Sequence, residues 1–304
     1  MTSKRTCCVS ALCGLALMLC GCPRQTAERL SVDADTIDTV RKVLEAGVAS
    51  SGAAEVALAE PTGWATVTGK FTLSGTAPAN PTLTIDKDTA VCRAGGTENR
   101  VVVIGPGNGI QNVLIYVSSK VPNDNPAWIH ESYEKVRTAE VTFDQKNCVF
   151  LSRVGVMWAP QTMMVKNSDS VGHNTKLDST FGAKSENFTV PANSPGIAYL
   201  PGGASTRGPF PVSCSIHPWM IASMMVCENP YFAVTAEDGS FTIENVPAGV
   251  ELEFRVWHEK PSFIRDEVSV NGSPTKWKRG AFKHKSEDGD TLTLNVVMDA
   301  AVFN

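Results

Sequence analysis

The amino-acid sequence predicts a mainly β protein with two β-sandwiches behind a short N-terminal helical tether. Short segments that alternate apolar and polar residues recur along most of the chain. Turn-forming residues separate these segments, and the 304 residues include 24 Gly and 18 Pro. Charged residues make up only 19% of the chain and the net charge is −4. This composition excludes a mainly disordered chain and offers no basic surface for nucleic acid.

The first 22 residues are expected to form a lipoprotein export signal. Two basic residues precede an uncharged apolar stretch that is shorter than a typical membrane span. The stretch ends Leu19-Cys20-Gly21-Cys22, which resembles the lipobox of bacterial lipoproteins, so Cys22 is the expected lipidation site. Plain cleavage nearby is the alternative, because a cysteine at position 20 is unusual. We therefore expect a periplasmic or outer-membrane lipoprotein of the cell envelope, anchored to the membrane by its lipid.

Residues 23–62 are expected to form a helical tether or linker. Apolar residues recur there at helical spacing, with charged residues between them. We favour a tether that holds the rest of the chain off the membrane over a helix that binds a partner. The residues that carry the helical pattern are Ile37, Val40, Leu44 and Val48.

From Gly63 onward the pattern predicts β-strands up to about residue 229. A glycine-rich cluster at 105–109 reads as a turn, because no helix and no Lys-Ser or Lys-Thr pair follows it, as a phosphate loop would need. The expected strands in this region are 66–73, 101–104, 113–117, 141–143, 154–157, 163–166, 186–190 and 196–200.

After Pro230 the sequence changes to strands joined by Asp-Gly and Pro-Gly turns. The expected strands are 232–235, 240–243, 250–257 and 291–298. The string TAEDGSFTIENVPAG resembles the carboxypeptidase regulatory-like (transthyretin-like) β-sandwich, which implies a structural or adhesive module without chemistry of its own. The expected domains are thus 63–229 and 230–304. The strands at 66–74 and 113–117 could belong to either sandwich, so the second could also embrace the first.

One cluster of residues has the donors of a metal site. Residues 214–220 read Cys-Ser-Ile-His-Pro-Trp-Met, and His173 stands forty-one residues before Cys214. Together Cys214, His217, Met220 and His173 offer a thiolate, two imidazoles and a thioether. This set suits a trigonal copper site with a weak axial ligand, which keeps one geometry in both oxidation states of copper.

These residues also carry a family resemblance. The string CSIHPWM with an upstream His-Asn resembles the cupredoxins, or blue copper proteins, and its short loop is similar to that of amicyanin and methylamine-utilisation proteins. The strings GWATVTGKF, DQKNC, NSDSVGHNT and FRVWHEK further resemble exported cupredoxin-like proteins of planctomycetes. The resemblance implies a cupredoxin-like sandwich over 63–229 that binds one type 1 copper. It makes His173, Cys214 and His217 the equatorial ligands and Met220 the axial one.

The resemblance also assigns neighbours of the ligands. Asn174 would tie the two ligand-bearing strands together. His217 would be the ligand at the solvent edge through which electrons leave. Pro218 and Trp219 would flank it as part of an apolar docking face.

The expected function is one-electron transfer rather than catalysis. The partner would be an envelope redox protein such as a c-type cytochrome or a dehydrogenase. His130, His258 and His284 are scattered, so a catalytic copper centre lacks ligands. One alternative is copper storage or delivery. Another is a non-redox surface binding module in which the fold has lost its metal and Cys214 is a buried thiol.

The remaining cysteines of the mature chain also allow a prediction. In an oxidising compartment Cys92 and Cys148 are candidates for a disulfide. Cys227 is then left over, either as a small buried apolar residue or as a reactive thiol. The methionines around the cluster are expected to fill the core, although several of them facing the site would point to Cu(I) handling.

Overall fold

The computed structural model describes Thr39 and residues 59–303. The export signal with Cys22, and the predicted tether helix apart from the helical Thr39, lie outside the described residues. Within the described part of the chain, no helix has the length and apolar character needed to cross a membrane. The residues from 59 onward belong to one compact unit.

Strands dominate this unit, which confirms the mainly β class. Two single-turn α-helices, α1 (Thr89–Cys92) and α2 (Glu134–Arg137), lie among them. The strands are β1 (Gly63–Ser74), β2 (Leu114–Val117), β3 (Glu140–Phe143), β4 (Gln145–Lys146), β5 (Val149–Phe150), β6 (Val154–Trp158), β7 (Thr162–Asn167), β8 (His173–Leu177), β9 (Glu186–Val190), β10 (Ser194–Tyr199), β11 (Phe210–Ser213), β12 (Ile221–Cys227), β13 (Phe232–Val234), β14 (Ser240–Ala248), β15 (Glu251–His258), β16 (Ser262–Phe263), β17 (Glu267–Val270), β18 (Ser273–Lys276), β19 (Ala281–Lys285) and β20 (Thr291–Asp299).

The strands assemble into two sandwiches. The outer sandwich consists of the sheet β14-β1-β20-β17-β18 and the sheet β13-β2-β15-β16, with β19 also paired to β15. The site sandwich consists of the sheet β6-β12-β11-β8-β9 and the sheet β10-β7-β3, together with the β4-β5 hairpin. Each sandwich has its own apolar core.

A third apolar layer joins the two sandwiches. In β2, Ile115 and Val117 face the outer core, whereas Leu114 and Tyr116 pack against residues of the site sandwich. β12 alternates in the same way between the site core and this shared layer. Because side chains alternate between the two faces of a strand, both strands are buried on both sides. The four large sheets therefore stack through three continuous apolar layers.

In the sequence, the strands of the outer sandwich lie both before and after the strands of the site sandwich. β1 pairs in antiparallel fashion with β14 and in parallel with β20. β2 pairs with β13 and β15. The sheets therefore do not follow the expected boundary at residues 229 and 230. The sequence left open whether the second sandwich embraces the first. The strand pairing shows that it does.

One predicted strand, 101–104, is wrong. The backbone N–H of Val102 donates to Asn80 Oδ1, and its carbonyl accepts from Asn80 Nδ2, both at 3.0 Å. A side chain therefore takes the backbone groups that a neighbouring strand would need, and only a single bridge from Ile104 to Ile110 forms nearby. The other predicted segments overlap strands of the structure.

Candidate metal centre

Antiparallel pairing brings the predicted donor residues to one end of the site sandwich. His173 is the first residue of β8, and Cys214 directly follows β11, which runs antiparallel beside β8. The loop from Cys214 to Met220 then leads back into β12. Two backbone hydrogen bonds close this loop, from Met220 N–H to the His217 carbonyl at 2.9 Å and from Cys214 N–H to the Met220 carbonyl at 3.2 Å.

Three of the four predicted donors converge in the structure. One ligand atom each from His173, Cys214 and His217 lies within 4.8 Å of the other two. The two imidazoles face each other through their Nδ1 atoms, which are 2.9 Å apart. The exposed fractions are 0% for both histidines, 2% for Cys214 and 1% for Met220. Met220 belongs to the same loop and packs into the site core.

A carboxylate binds the far nitrogen of each imidazole. His173 Nε2 lies 2.7 Å from Asp169 Oδ2, and His217 Nε2 lies 2.8 Å from Asp88 Oδ2. An ionised carboxylate only accepts hydrogen bonds, so both Nε2 atoms carry the proton in the neutral rings. Both Nδ1 atoms then present lone pairs to each other with no proton between them. This arrangement needs a cation, either a proton or a metal ion.

Burial disfavours an added proton between the two rings. Burial lowers the pKa of His173, and repulsion from His217 lowers it further, against the opposing effect of Asp169. Histidines that bind metals commonly donate their other N–H to a carboxylate, which fixes the tautomer and makes the ligand nitrogen more basic. The residues present therefore fit a metal ion between the two rings and the thiol of Cys214.

Asn174 connects the two ligand-bearing segments. Its Oδ1 accepts from the backbone N–H of Ser215 at 2.7 Å and of Ile216 at 3.3 Å, and lies 3.4 Å from Cys214 Sγ. Its Nδ2 donates to Asn187 on β9. The structure thus gives Asn174 the contacts expected of a residue that holds the ligand loop against β8.

The expectation that His217 lies at a solvent edge is wrong. Asp88, at the start of α1, covers its Nε2, and the disulfide between Cys92 and Cys148 lies beside the ring, with sulfur atoms within 4.8 Å of a ring nitrogen. The ring centroids of Trp219 and His217 are 5.2 Å apart, and Trp219 donates its Nε1–H to the Cys148 carbonyl. We call Asp88–Cys92 and its disulfide partner Cys148 the cap. The cap, rather than an open imidazole, forms the surface at this end of the site.

Asp169 anchors the other side of the cap. Besides His173, its carboxylate accepts from the backbone N–H groups of Asn147 and Cys148, where the β4-β5 hairpin turns. It is buried, with an exposed fraction of 3%. One carboxylate therefore fixes both a donor ring and the cysteine that closes the cap.

The two carboxylates were missed at the level of sequence. Asp169 stands four residues before His173 in the quoted string NSDSVGHNT, so it had a local signal. Asp88 is 129 residues from His217 and has none. The disulfide between Cys92 and Cys148, by contrast, was predicted and is present.

Other metal-ligating side chains do not assemble a second site among the described residues. Two further groups of possible donors include Cys92 or Cys148, whose sulfurs are tied up in the disulfide. Cys227 is a buried free thiol in the layer between the sandwiches, and burial raises its pKa. His258 is fully buried, and its Nδ1 accepts from the backbone N–H of Lys260. Cys227 is therefore a small apolar residue here, and His258 caps a turn.

The predicted core role of the methionines fits the structure. Met157, Met163 and Met224 are buried in the site core, and Met225 lies in the layer between the sandwiches. Their packing accounts for their presence near the ligand loop in the sequence.

Comparison with known proteins gives partial likenesses only. No protein-family model and no curated protein matches this chain. The chain is similar to the copper-containing nitrite reductase (NirK) of Thermus scotoductus SA-01, with 22% identity and a TM-score of 0.25, over 30% of this chain and 23% of that one. It is also similar to amicyanin from Paracoccus versutus (Thiobacillus versutus), with 21% identity and a TM-score of 0.22, over 37% of this chain and 97% of that one. This chain thus spans less than a quarter of the nitrite reductase, and the chemistry of the site has to be argued from its own residues.

Proposed function

We propose that this chain is an exported blue copper protein of the cupredoxin type that carries single electrons between redox partners. His173 Nδ1, His217 Nδ1 and Cys214 Sγ would hold one copper ion, with Met220 as a weak axial donor. When bound there, copper supplies one-electron exchange between Cu(II) and Cu(I). The observation that carries the proposal is the pair of Nδ1 atoms that face each other at 2.9 Å beside the Cys214 thiol.

The protein's own residues keep this donor set in one arrangement. Asp88 and Asp169 orient the two rings through their Nε2 atoms, and Asn174 fixes the start of the ligand loop. The surrounding core excludes water from the donors. Thiolate suits Cu(I), imidazole suits both oxidation states, and a rigid set needs little reorganisation when an electron moves. These properties favour electron transfer over bond chemistry, so we propose a carrier rather than an enzyme.

The cover over the site also favours electron transfer over copper storage or delivery. Storage and delivery require an opening through which the ion enters and leaves. The cap and the neighbouring Trp219 close the His217 side. An electron needs no opening, and the Asp88 carboxylate, whose side chain is 36% exposed, links His217 to the surface by one hydrogen bond. We propose this link as the exit route.

We also propose, on the basis of the sequence, where in the cell the protein acts. Cys22 would carry the lipid that anchors the chain in the cell envelope, and residues 23–62 would space it from the membrane. A c-type cytochrome or a dehydrogenase of the same compartment would exchange electrons at the cap.

The test is a visible and electron paramagnetic resonance spectrum of the purified chain loaded with Cu(II). We expect one copper per chain and an intense thiolate-to-copper absorption band that ascorbate bleaches reversibly. Cys214→Ser should abolish the band because it removes the charge-transfer donor. Cys227→Ser is the matched control, since it alters the other free thiol of the described residues, outside the site, and should leave the band unchanged.

Two outcomes would contradict electron transfer. A colourless protein that binds only Cu(I) would support storage or delivery. A protein that retains no copper after reconstitution would support a non-redox binding module built on the sandwiches alone.

A further inference from the structure

A polar cleft lies where the outer sandwich meets the site sandwich. It has a volume of about 750 Å³, which is within the range of small-molecule sites. Its walls come from the end of β2 and the two serines that follow, from residues 204–208 and from the end of β12. None of the proposed copper ligands lines it. The cleft is therefore a feature separate from the metal centre.

The lining carries an excess of positive charge. It includes Arg207, Arg255 and Arg279 but only one acidic side chain, Glu228. Arg255 is paired with Glu253 at 3.2 Å. Within residues 59–303, neither Arg207 nor Arg279 forms an ion pair with a carboxylate, and both are exposed. The chain as a whole has a net charge of −4, so the positive charge of this cleft is opposite in sign to that of the chain.

Packing holds one of these guanidinium groups in place. Arg207 lies over the ring of Phe181, with its guanidinium carbon 3.6 Å from the ring centroid. A guanidinium stacked on an aromatic face is pre-oriented and still presents its N–H edges, which suit the oxygens of phosphate or carboxylate.

Two hydroxyl groups of the lining lack an acceptor. Ser205 Oγ accepts from the backbone N–H of Val226 at 3.1 Å, and Ser119 Oγ accepts from the backbone N–H of Glu253. Neither hydroxyl donates to any acceptor among the described residues. Ser205 is only 8% exposed, so its unused donor is almost buried at the edge of the cleft. Both hydroxyl protons are therefore available to a ligand that enters the cleft.

We propose that this cleft binds a small molecule through an anionic phosphoryl group. Arg207 and Arg279 would supply charge-assisted hydrogen bonds, and the hydroxyls of Ser119 and Ser205 would donate to the remaining oxygens. The volume exceeds that of a bare ion, so the group belongs to a larger ligand. A soluble phosphorylated metabolite and a phospholipid headgroup share this chemistry.

The test measures binding to the full chain by isothermal titration calorimetry with two probes. Pyrophosphate represents a soluble phosphorylated ligand, and dihexanoyl phosphatidylglycerol below its micellar concentration represents a headgroup. We expect saturable binding of at least one probe and an affinity at least tenfold weaker in the double variant Arg207→Ala/Arg279→Ala, because two charge-assisted contacts are lost (about 1.4 kcal/mol per tenfold). Both arginines are exposed, so the double variant should fold.

Arg265→Ala is the matched control, because it removes the same kind of exposed charge outside the cleft. Preference for pyrophosphate would indicate a soluble ligand, and preference for the lipid a headgroup. The proposal is overturned if neither probe binds saturably, or if Arg265→Ala weakens binding as much as the double variant. The result is independent of copper, since the same titration can be run on the chain with and without it.

Discussion

Asp88 and Asp169 decide which nitrogen of each donor histidine faces the centre. Without them either tautomer of a buried imidazole would be accessible, and the rings could rotate about their side-chain torsions. With them, both Nδ1 lone pairs point inward before any metal arrives. Asp169 is almost fully buried, whereas Asp88 reaches solvent. The two carboxylates therefore act alike on tautomer but differ in how strongly solvent screens their charge.

We predict that Asp88→Asn raises the reduction potential of the copper-loaded protein by tens of millivolts. Removing a negative charge that is hydrogen-bonded to a ligand destabilises Cu(II) more than Cu(I). Cyclic voltammetry measures the shift. Asp86→Asn removes an equal charge from the exposed residue two positions earlier and serves as the control. An equal shift in both variants would show that the effect is general electrostatics rather than the contact with His217.

A third buried histidine, outside the candidate site, makes stability depend on pH. Burial, helped by the charge of Arg153, lowers the pKa of His258 from 6.5 to about 4. The unfolded chain therefore takes up a proton below pH 6.5 that the folded chain does not. This group therefore leaves the free energy of unfolding unchanged above pH 6.5. As the pH falls toward 4, it lowers the free energy of unfolding by up to about 3 kcal/mol.

Denaturant unfolding at a series of pH values between 7 and 4 checks this prediction. In His258→Gln the pH dependence of the free energy of unfolding should be clearly shallower, because the titrating ring is gone. His284→Gln removes a half-buried imidazole on β19 and is the control. If His258→Gln keeps the full slope, another group is responsible for it.

At the scale of elements, the cap depends on a single covalent link. The disulfide joins α1 to the turn of the β4-β5 hairpin across a sequence separation of 56 residues. Hydrogen bonds add further ties, from His217 to Asp88, from Trp219 to the Cys148 carbonyl and from the Cys148 N–H to Asp169. α1 is one turn long and contributes little stability by itself. The disulfide is therefore the main reason that the cap stays over His217.

We predict that Cys92→Ser/Cys148→Ser lowers the free energy of unfolding by about 4 kcal/mol, as expected for a covalent loop of this length. The same variant should lose copper to a chelator faster than the unaltered chain, because the cover over His217 loosens. Unfolding in denaturant and the decay of the visible band measure the two effects. Cys227→Ala removes a thiol but no covalent link, so it should not speed copper loss. Equal rates of copper loss in all three proteins would show that the cap does not guard the site.

The elements also show why some strands were predictable and others were not. β1 and β15 alternate in the usual way, so hydrophobic period alone located them. Residues 101–104 are a run of β-branched residues that favours a strand, but the Asn80 side chain occupies the backbone groups of Val102, and no local pattern reveals such a contact. β12 is buried on both faces and contains two adjacent methionines, so it lacks alternation. Burial on both sides removes the alternation of apolar and polar residues, and β2, which shares this burial, was predicted only from its continuous apolar run.

The centre itself was predictable to the extent that its donors share one loop. Cys214, His217 and Met220 stand at fixed spacing, and His173 precedes a residue that holds the loop. The covered state of His217 was not predictable, because it depends on Asp88 and on a disulfide that come from distant parts of the sequence. Long-range contacts of this kind follow from the fold and leave no trace in a motif.

At the scale of the whole molecule, the shared apolar layer couples the two sandwiches. β2 and β12 each contribute to two layers, so neither sandwich can lose its packing without exposing apolar surface of the other. We therefore expect the described residues to unfold as one cooperative unit rather than as two domains.

This coupling can be tested far from the metal. Phe71→Ala in the outer core should destabilise the chain by about 3–5 kcal/mol, because Phe71 is fully buried. The copper band and the far-ultraviolet circular dichroism should still disappear at the same denaturant concentration. Val297→Ala, on an exposed position of β20, should change stability far less. If the circular dichroism changed in Phe71→Ala while the copper colour persisted, the sandwiches would be independent.

The parallel pairing of β1 with β20 has a consequence for the order of events during synthesis. β1 gains this neighbour only when the last strand has left the ribosome or the export channel, more than two hundred residues later. The site sandwich, whose strands all lie between Glu140 and Cys227, has every partner much sooner. Because pairing between distant segments is slow, the inner sandwich can assemble while the outer one still waits for its final strand. The loop that carries the candidate donors can then be in place before the surrounding module closes around it.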